Sequence, residues 1–129
     1  MDLSTTVIFN DKHYTLKYPT VGQILEIESL KQSLSAGRYG LLVVSNVKSM
    51  ELALDLIDAI AYFSVLIPDL KKEIAVDSFM DLDAMTAKRL SISYKKYFRK
   101  WYSELEKEMN DLDAELLKEL KEDEVKAKN

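Results

Sequence analysis

Three carboxylates in an otherwise apolar segment are the first candidates for a metal-binding or acid–base site. Glu51, Asp55 and Asp58 are separated by four and three residues, which puts them on one stripe of a helix. Such carboxylates can bind a divalent cation or act as an acid–base pair. No carboxylate–histidine motif elsewhere supports a metal site. We therefore interpret the stripe as the solvent-exposed edge of a buried helix, or as a set of carboxylates that form ion pairs with Lys and Arg of a later helix.

The chain lacks the residues that other catalytic motifs require. The chain has no Cys, one His (His13) and 3 Gly, and the glycines fit neither a dinucleotide-binding loop nor a P-loop. His13 alone with scattered serines forms no catalytic triad, and we predict that it lies on a strand surface. Asp81 and Asp83 resemble the start of a calcium loop without its Gly and final Glu, so we predict a helix cap at Asp81. We expect no enzyme activity, no metal and no cofactor.

A basic and aromatic segment, residues 94–102 (YKKYFRKWY), allows three interpretations. Bases and aromatics together can bind nucleic acid through phosphates and stacking. Helical spacing also explains the aromatics as core residues flanked by Lys and Arg stems, and a net charge of −4 disfavours nucleic acid. In the third interpretation the bases contact an acidic protein surface, such as the acidic tail of a neighbouring copy.

The charges of the 129 residues fall into three blocks. Residues 1–87 carry a net −5, residues 88–103 carry +6 with no acid, and residues 104–129 carry −5. Blocks of opposite charge indicate a surface that binds charged partners or packs against another part of the same chain.

The predicted secondary structure begins with a β-hairpin. Residues 5–9 and 13–18 predict its strands, and residues 10–12 its turn. Thr20 and Gln23 form a capping-box pattern for a helix over 21–36. Leu41–Val44 fits either a strand or the start of a helix.

The second half is predicted to be helical. Met50–Ile67 predicts a central helix that ends at Pro68, and its three acids argue against a membrane span. A third helix from 82 to 121 would be about 60 Å long, so its end must project or meet another chain. Residues 122–129 are predicted to fray. Apolar residues spaced by three or four form a seam along this helix: Phe98, Trp101, Leu105, Met109, Leu112, Leu116 and Leu120.

These elements predict a mainly α fold with an N-terminal β-hairpin (α+β) and three principal helices, the last long and projecting. Residues 1–81 form the hairpin and a two-helix core, and residues 82–129 form a long amphipathic helix that packs on that core within a single domain. The predicted core consists of Phe9, Leu16, Ile24, Ile27, Leu56, Ile57, Ile60, Phe63, Leu66, Phe98 and Trp101.

Residues 9–18 (FNDKHYTLKY), followed by Pro19, Thr20 and a helix, resemble the opening of tail assembly chaperones of long-tailed (siphovirus-like) bacteriophages. The likeness runs over residues 7–70, with Asp11 where that family often has Gly. It implies a late protein of the host cytoplasm that binds the tape measure protein, helps to recruit the tail-tube protein, and is absent from the finished particle. Many family members also have a longer form made by ribosomal frameshifting.

The function predicted first is therefore a non-catalytic chaperone of phage tail assembly. A structural connector, neck or tail subunit of the virion and a small helical nucleic-acid-binding regulator are the alternatives. A homo-oligomer fits the long helix, and neither a membrane nor nucleic acid is an expected partner. The predicted partner-binding surface consists of Lys95, Lys96, Arg99, Lys100, Trp101, Leu105, Met109, Leu112 and Leu116.

Overall fold

A computed structural model describes residues 2–128. Two antiparallel strands precede six α-helices, a 3₁₀ turn over Phe79–Asp81 and a π-helical segment over Tyr94–Phe98. The strands are β1 (Ser4–Phe9) and β2 (Lys12–Lys17), and the helices are α1 (Val21–Leu34), α2 (Tyr39–Val43), α3 (Lys48–Leu66), α4 (Pro68–Ile74), α5 (Ala84–Ser93) and α6 (Arg99–Lys128). The predicted α+β architecture with a long last helix is confirmed.

The hairpin turn is made by two residues in left-handed backbone conformation. Asn10 has φ 49° and Asp11 has φ 63°, and Phe9 pairs with Lys12 across the turn. Two central residues with positive φ are typical of the type I′ turn that matches the twist of a hairpin. The predicted turn is confirmed, with Lys12 already in β2.

One face of the hairpin lies against α5 and the π-helical segment. Val7, Phe9 and Leu16 are buried on this face. The Ser93 hydroxyl donates a hydrogen bond to the carbonyl of Ile8 at 2.6 Å, and the Trp101 indole N–H donates to the carbonyl of Asp2 at 3.0 Å. Because a two-stranded hairpin is marginal by itself, this packing stabilises it.

Helix α1 begins with the predicted capping box. The Gln23 backbone N–H donates to the Thr20 hydroxyl, and the Thr20 backbone N–H donates to the Gln23 side chain. The helix ends at Leu34 rather than at residue 36, because Ala36 already has φ 54°. Beyond Gly37 the ambiguous segment forms the short helix α2.

Helix α3 is the centre of the fold, as predicted, but only its C-terminal half is deeply buried. Buried residues begin at Ile57, whereas Met50 and Leu52 in the first turns are exposed. Pro68 ends α3 and occupies the first turn of α4, where its missing N–H costs no hydrogen bond. The structure therefore has a seven-residue helix, α4, directly after Pro68.

The predicted third helix is one continuous helical run through α5, the π-helical segment and α6. It starts at Ala84, and its cap is Asp83, whose carboxylate accepts from the backbone N–H groups of Met85 and Thr86. The prediction of a cap at Asp81 was wrong, because Asp81 belongs to the preceding 3₁₀ turn. The predicted fraying from 122 was also wrong as far as Lys128, and Asn129 lies outside the described residues.

Most of the predicted core is buried. Seven of the eleven predicted residues are buried, and the other four are partly buried: Ile24, Leu56, Leu66 and Trp101. Phe63 and Phe98 pack edge to face at 5.6 Å between ring centroids, which joins α3 to the last helical run. Tyr94, Phe98 and Tyr102 stack along the inner side of that run.

Candidate protein-binding surface

The seam predicted along the last helix divides at Leu105. Leu105 is only 3% exposed and belongs to the packed part of the molecule, so it is not available to a partner. Beyond it, Met109, Leu112 and Leu116 are 47%, 65% and 54% exposed. Because the spacing of three and four continues across Leu105, the bare residues extend the same helix face that packs on the core. We call Met109, Leu112, Leu116 and Leu120 the bare seam.

A groove of about 430 Å³ opens where the bare seam begins. Its apolar lining combines Leu3 and Tyr18 beside the hairpin with Leu105, Met109 and Leu112 of α6. The Tyr18 hydroxyl lies 3.0 Å from the Met109 sulfur, and the Tyr18 ring stacks on Tyr102 at 5.3 Å. The remaining lining residues, Glu108, Asp111 and Glu115, form a set of carboxylates that we call the acidic rim.

The basic residues of the predicted surface divide between two roles. Lys95 and Arg99 are 3.5 Å and 3.2 Å from the carboxylate of Asp55, so they join α3 to the last helical run. This confirms that an acid of the α3 stripe pairs with bases of the last helix. Lys96 and Lys100 are exposed, and the Lys96 ammonium lies over the Tyr97 ring at 5.2 Å.

Trp101 contributes to packing rather than to an open surface. It is partly buried, contacts Tyr18 and Phe98 edge to face, and donates its N–H to a backbone carbonyl. Five residues of the predicted surface are exposed and lie outside the ion pairs with Asp55: Lys96, Lys100, Met109, Leu112 and Leu116. Lys95 and Arg99 are exposed as well, but their charges are paired with Asp55.

A polar cleft that the sequence analysis missed lies between α1, α3 and α6. At its base the Lys31 ammonium is buried, 3.1 Å from Glu28, 3.9 Å from Asp58 and 3.0 Å from the Tyr62 hydroxyl. The Tyr39 hydroxyl donates to Asp58 at 2.6 Å. Burial raises the pKa of the Asp58 carboxyl, although this hydrogen bond and the nearby Lys31 lower it in part.

The sequence did carry a signal for this cleft. Ile24, Ile27 and Leu34 are spaced so that Lys31 falls on the same stripe of α1. A lysine on an apolar stripe indicates a buried cation that needs acidic partners. The partners could not be read from the sequence, because Asp58 and Tyr62 lie on a different helix.

Within residues 2–128 no group of three or more His, Cys, Asp or Glu side chains is arranged to hold a metal ion. Nor does any helix in that range have the length and apolar character needed to cross a membrane. Comparisons with models of protein families, with curated proteins and with solved structures gave no match.

Proposed function

We propose that this chain is a non-catalytic chaperone of bacteriophage tail assembly, which binds the tape measure protein in the host cytoplasm and promotes assembly of the tail tube. The observation that carries the proposal is the bare seam of α6. Four large apolar side chains at helical spacing are each about half exposed or more, on a helix that extends past the core. Such a face is costly to leave in water and marks a site for protein binding.

The chemistry of the seam supports a helical partner. An amphipathic helix can place its apolar face along Met109, Leu112 and Leu116, in the manner of a helix in a groove. The acidic rim favours a partner whose flanking residues are Lys or Arg. A tape measure protein is expected to be a long amphipathic helical chain that aggregates alone, so covering its apolar face would keep it in solution.

Co-expression with a tape measure protein tests the proposal. The wild-type chain should keep the tape measure protein in the soluble fraction. The variant Leu112→Asp/Leu116→Asp should lose most of this effect, because two carboxylates replace the apolar centre of the seam. The matched control is Leu41→Asp/Val44→Asp, which changes two apolar residues on and beside α2 that are more exposed than Leu112 and Leu116. Equal solubilisation by the seam variant and the wild type would contradict the proposal.

Purified phage particles separate the proposal from the structural alternative. A chaperone should be missing from the particles, whereas a connector or tail subunit remains in them. A gel-shift assay with DNA and RNA addresses the third interpretation, because binding through Lys96 and Lys100 would weaken steeply as the salt concentration rises.

A further inference from the structure

The last helical run carries opposite charges on its two exposed parts. In and near α5, Lys88, Arg89 and Lys96 are exposed around the exposed side chain of Ile92. We call these four residues the basic strip. Lys88 and Lys96 enter none of the ion pairs found within residues 2–128. Beyond the core, the bare seam of α6 is bordered by the acidic rim.

The basic strip lies beside a groove of about 470 Å³ between α5 and the hairpin turn. Arg89 and Ile92 line this groove from the helix, and Ile8 and Phe9 line it from β1. Asn10, Ser93 and the exposed Asp11 complete the lining, and Arg89 is 3.5 Å from the Asn10 side chain. A groove with apolar walls and cations beside it is complementary to an apolar side chain carried on an acidic helix.

The acidic helix that reaches this groove cannot come from the same chain. The structure has α5, the π-helical segment and α6 as one continuous run, so α6 leads away from the basic strip. Beyond Leu105 the exposed part of α6, residues 106–127, extends for about 33 Å at 1.5 Å per residue. Most of the stability of a helix in a protein comes from packing of its amphipathic face, so a contact along the seam would stabilise this part of α6.

Pairing of two α6 helices through their seams is electrostatically unfavourable. Most charged residues beside the seam are acids: the acidic rim together with Glu106, Asp113, Glu119 and Glu124. Like charges facing each other across paired helices are destabilising and disfavour that partner. The basic strip offers the opposite sign together with an apolar groove.

We propose that the bare seam of α6, with its acidic rim, docks on the basic strip and adjoining groove of a second copy of this chain. The two contacting surfaces differ, so two copies can pair reciprocally about a two-fold axis or head-to-tail, and a head-to-tail contact leaves one strip and one seam free. Repetition of such a contact produces a ring or an open chain. This inference does not depend on the proposed function, and a partner helix bound to the seam would compete with the second copy.

Sedimentation velocity of the full chain without any partner tests the docking. In low-salt buffer, the sedimentation coefficient should rise with protein concentration. In about 1 M salt it should return toward the monomer value, because the Debye length falls to about 3 Å. Monomers at every concentration in low salt would overturn the inference.

Charge reversal identifies the surfaces. A strip variant (Lys88→Glu/Arg89→Glu/Lys96→Glu) and a rim variant (Glu108→Lys/Asp111→Lys/Glu115→Lys) should each associate at least about tenfold more weakly than the wild type. An equimolar mixture of the two variants should associate again, because each supplies the charges that the other has reversed. The matched control Lys48→Glu/Lys71→Glu/Lys72→Glu reverses three exposed lysines elsewhere and should leave association unchanged.

Three results would contradict the proposed contact. They are undiminished association of the strip variant, failure of the mixture to associate when both variants give wild-type circular dichroism spectra, and equal weakening by the control. The first would indicate seam-to-seam pairing, the second would show that the strip and the rim do not contact each other, and the third would indicate an effect of net charge alone. None of these measurements uses the tape measure protein, so their failure is separate from failure of the proposed function.

Discussion

Asp58 lies where burial and a network of polar side chains oppose each other. Burial disfavours its carboxylate, whereas the Tyr39 hydroxyl and the Lys31 ammonium favour it. The first effect is larger, so the pKa of Asp58 in the folded chain is above its ordinary value. Lys31 is also held by Glu28 and the Tyr62 hydroxyl, so the cluster joins α1, α2 and α3.

Replacement of this carboxyl by an amide should change how stability depends on pH. An unfolded Asp releases its proton near pH 3.9, whereas folded Asp58 keeps it to a higher pH. The contribution of Asp58 is therefore fully present below about pH 3.9 and is lost as the pH rises through the folded pKa. Urea unfolding at several pH values should show the free energy of unfolding of Asp58→Asn rising relative to wild type across that window.

The variant Glu51→Gln is the control, because Glu51 is an exposed acid on the same helix. The effect of Asp58→Asn on the free energy of unfolding is compared with that of this control at each pH. A constant difference between Asp58→Asn and wild type, or one that falls with pH, would contradict the assigned direction of the pKa change.

At the scale of elements, the hairpin turn carries a residue that its backbone does not favour. Asp11 has φ 63°, a left-handed conformation that Gly adopts without penalty. Type I′ turns accordingly prefer Gly at this second position. The tail assembly chaperones that residues 9–18 resemble often have Gly at this position.

Asp11→Gly should therefore stabilise the chain, by about 0.5 kcal/mol, after subtraction of the larger entropy of an unfolded glycine. Denaturant unfolding followed by the fluorescence of Trp101, the single tryptophan, measures the change. Lys12→Gly is the matched control, since Lys12 is an exposed strand residue with ordinary negative φ and should lose stability. Destabilisation by Asp11→Gly would show that the Asp11 side chain stabilises the turn.

At the scale of the whole molecule, the distal part of α6 contributes exposed surface and little packing. The described side chains beyond Asn110 are exposed. A chain ending at Asn110 should therefore unfold with a free energy within about 1 kcal/mol of the full chain, which is typical of changes on a surface. Urea unfolding followed by circular dichroism measures this, and the shortened chain should also lose self-association and binding to a tape measure protein.

A loss of several kcal/mol on truncation would show that distal α6 stabilises the folded core. Preserved self-association would instead place the contact outside the bare seam. The two readouts are independent, because the first depends on packing within one chain and the second on contact between chains.

Much of the local structure was predictable from the sequence. The turn at Asn10, the capping box of Thr20 and Gln23 and the end of α3 before Pro68 each depend on residues within a few positions of one another. Periodicity also predicted the seam and most of the core. The start of α5 was predicted wrongly, because both Asp81 and Asp83 can cap a helix and the structure uses Asp83.

The residues that share a helix face could be identified from the sequence, because the helical repeat is about 3.6 residues. Which of those faces are buried depends on how the helices pack, and this became clear only in the folded chain. Leu105 and Leu112 belong to the same seam, but Leu105 is buried, whereas Leu112 lies beyond the core. The ion pair between Lys31 and Asp58 likewise could not be read from the sequence. Burial and ion pairing depend on residues that are distant in the sequence and become adjacent only after folding.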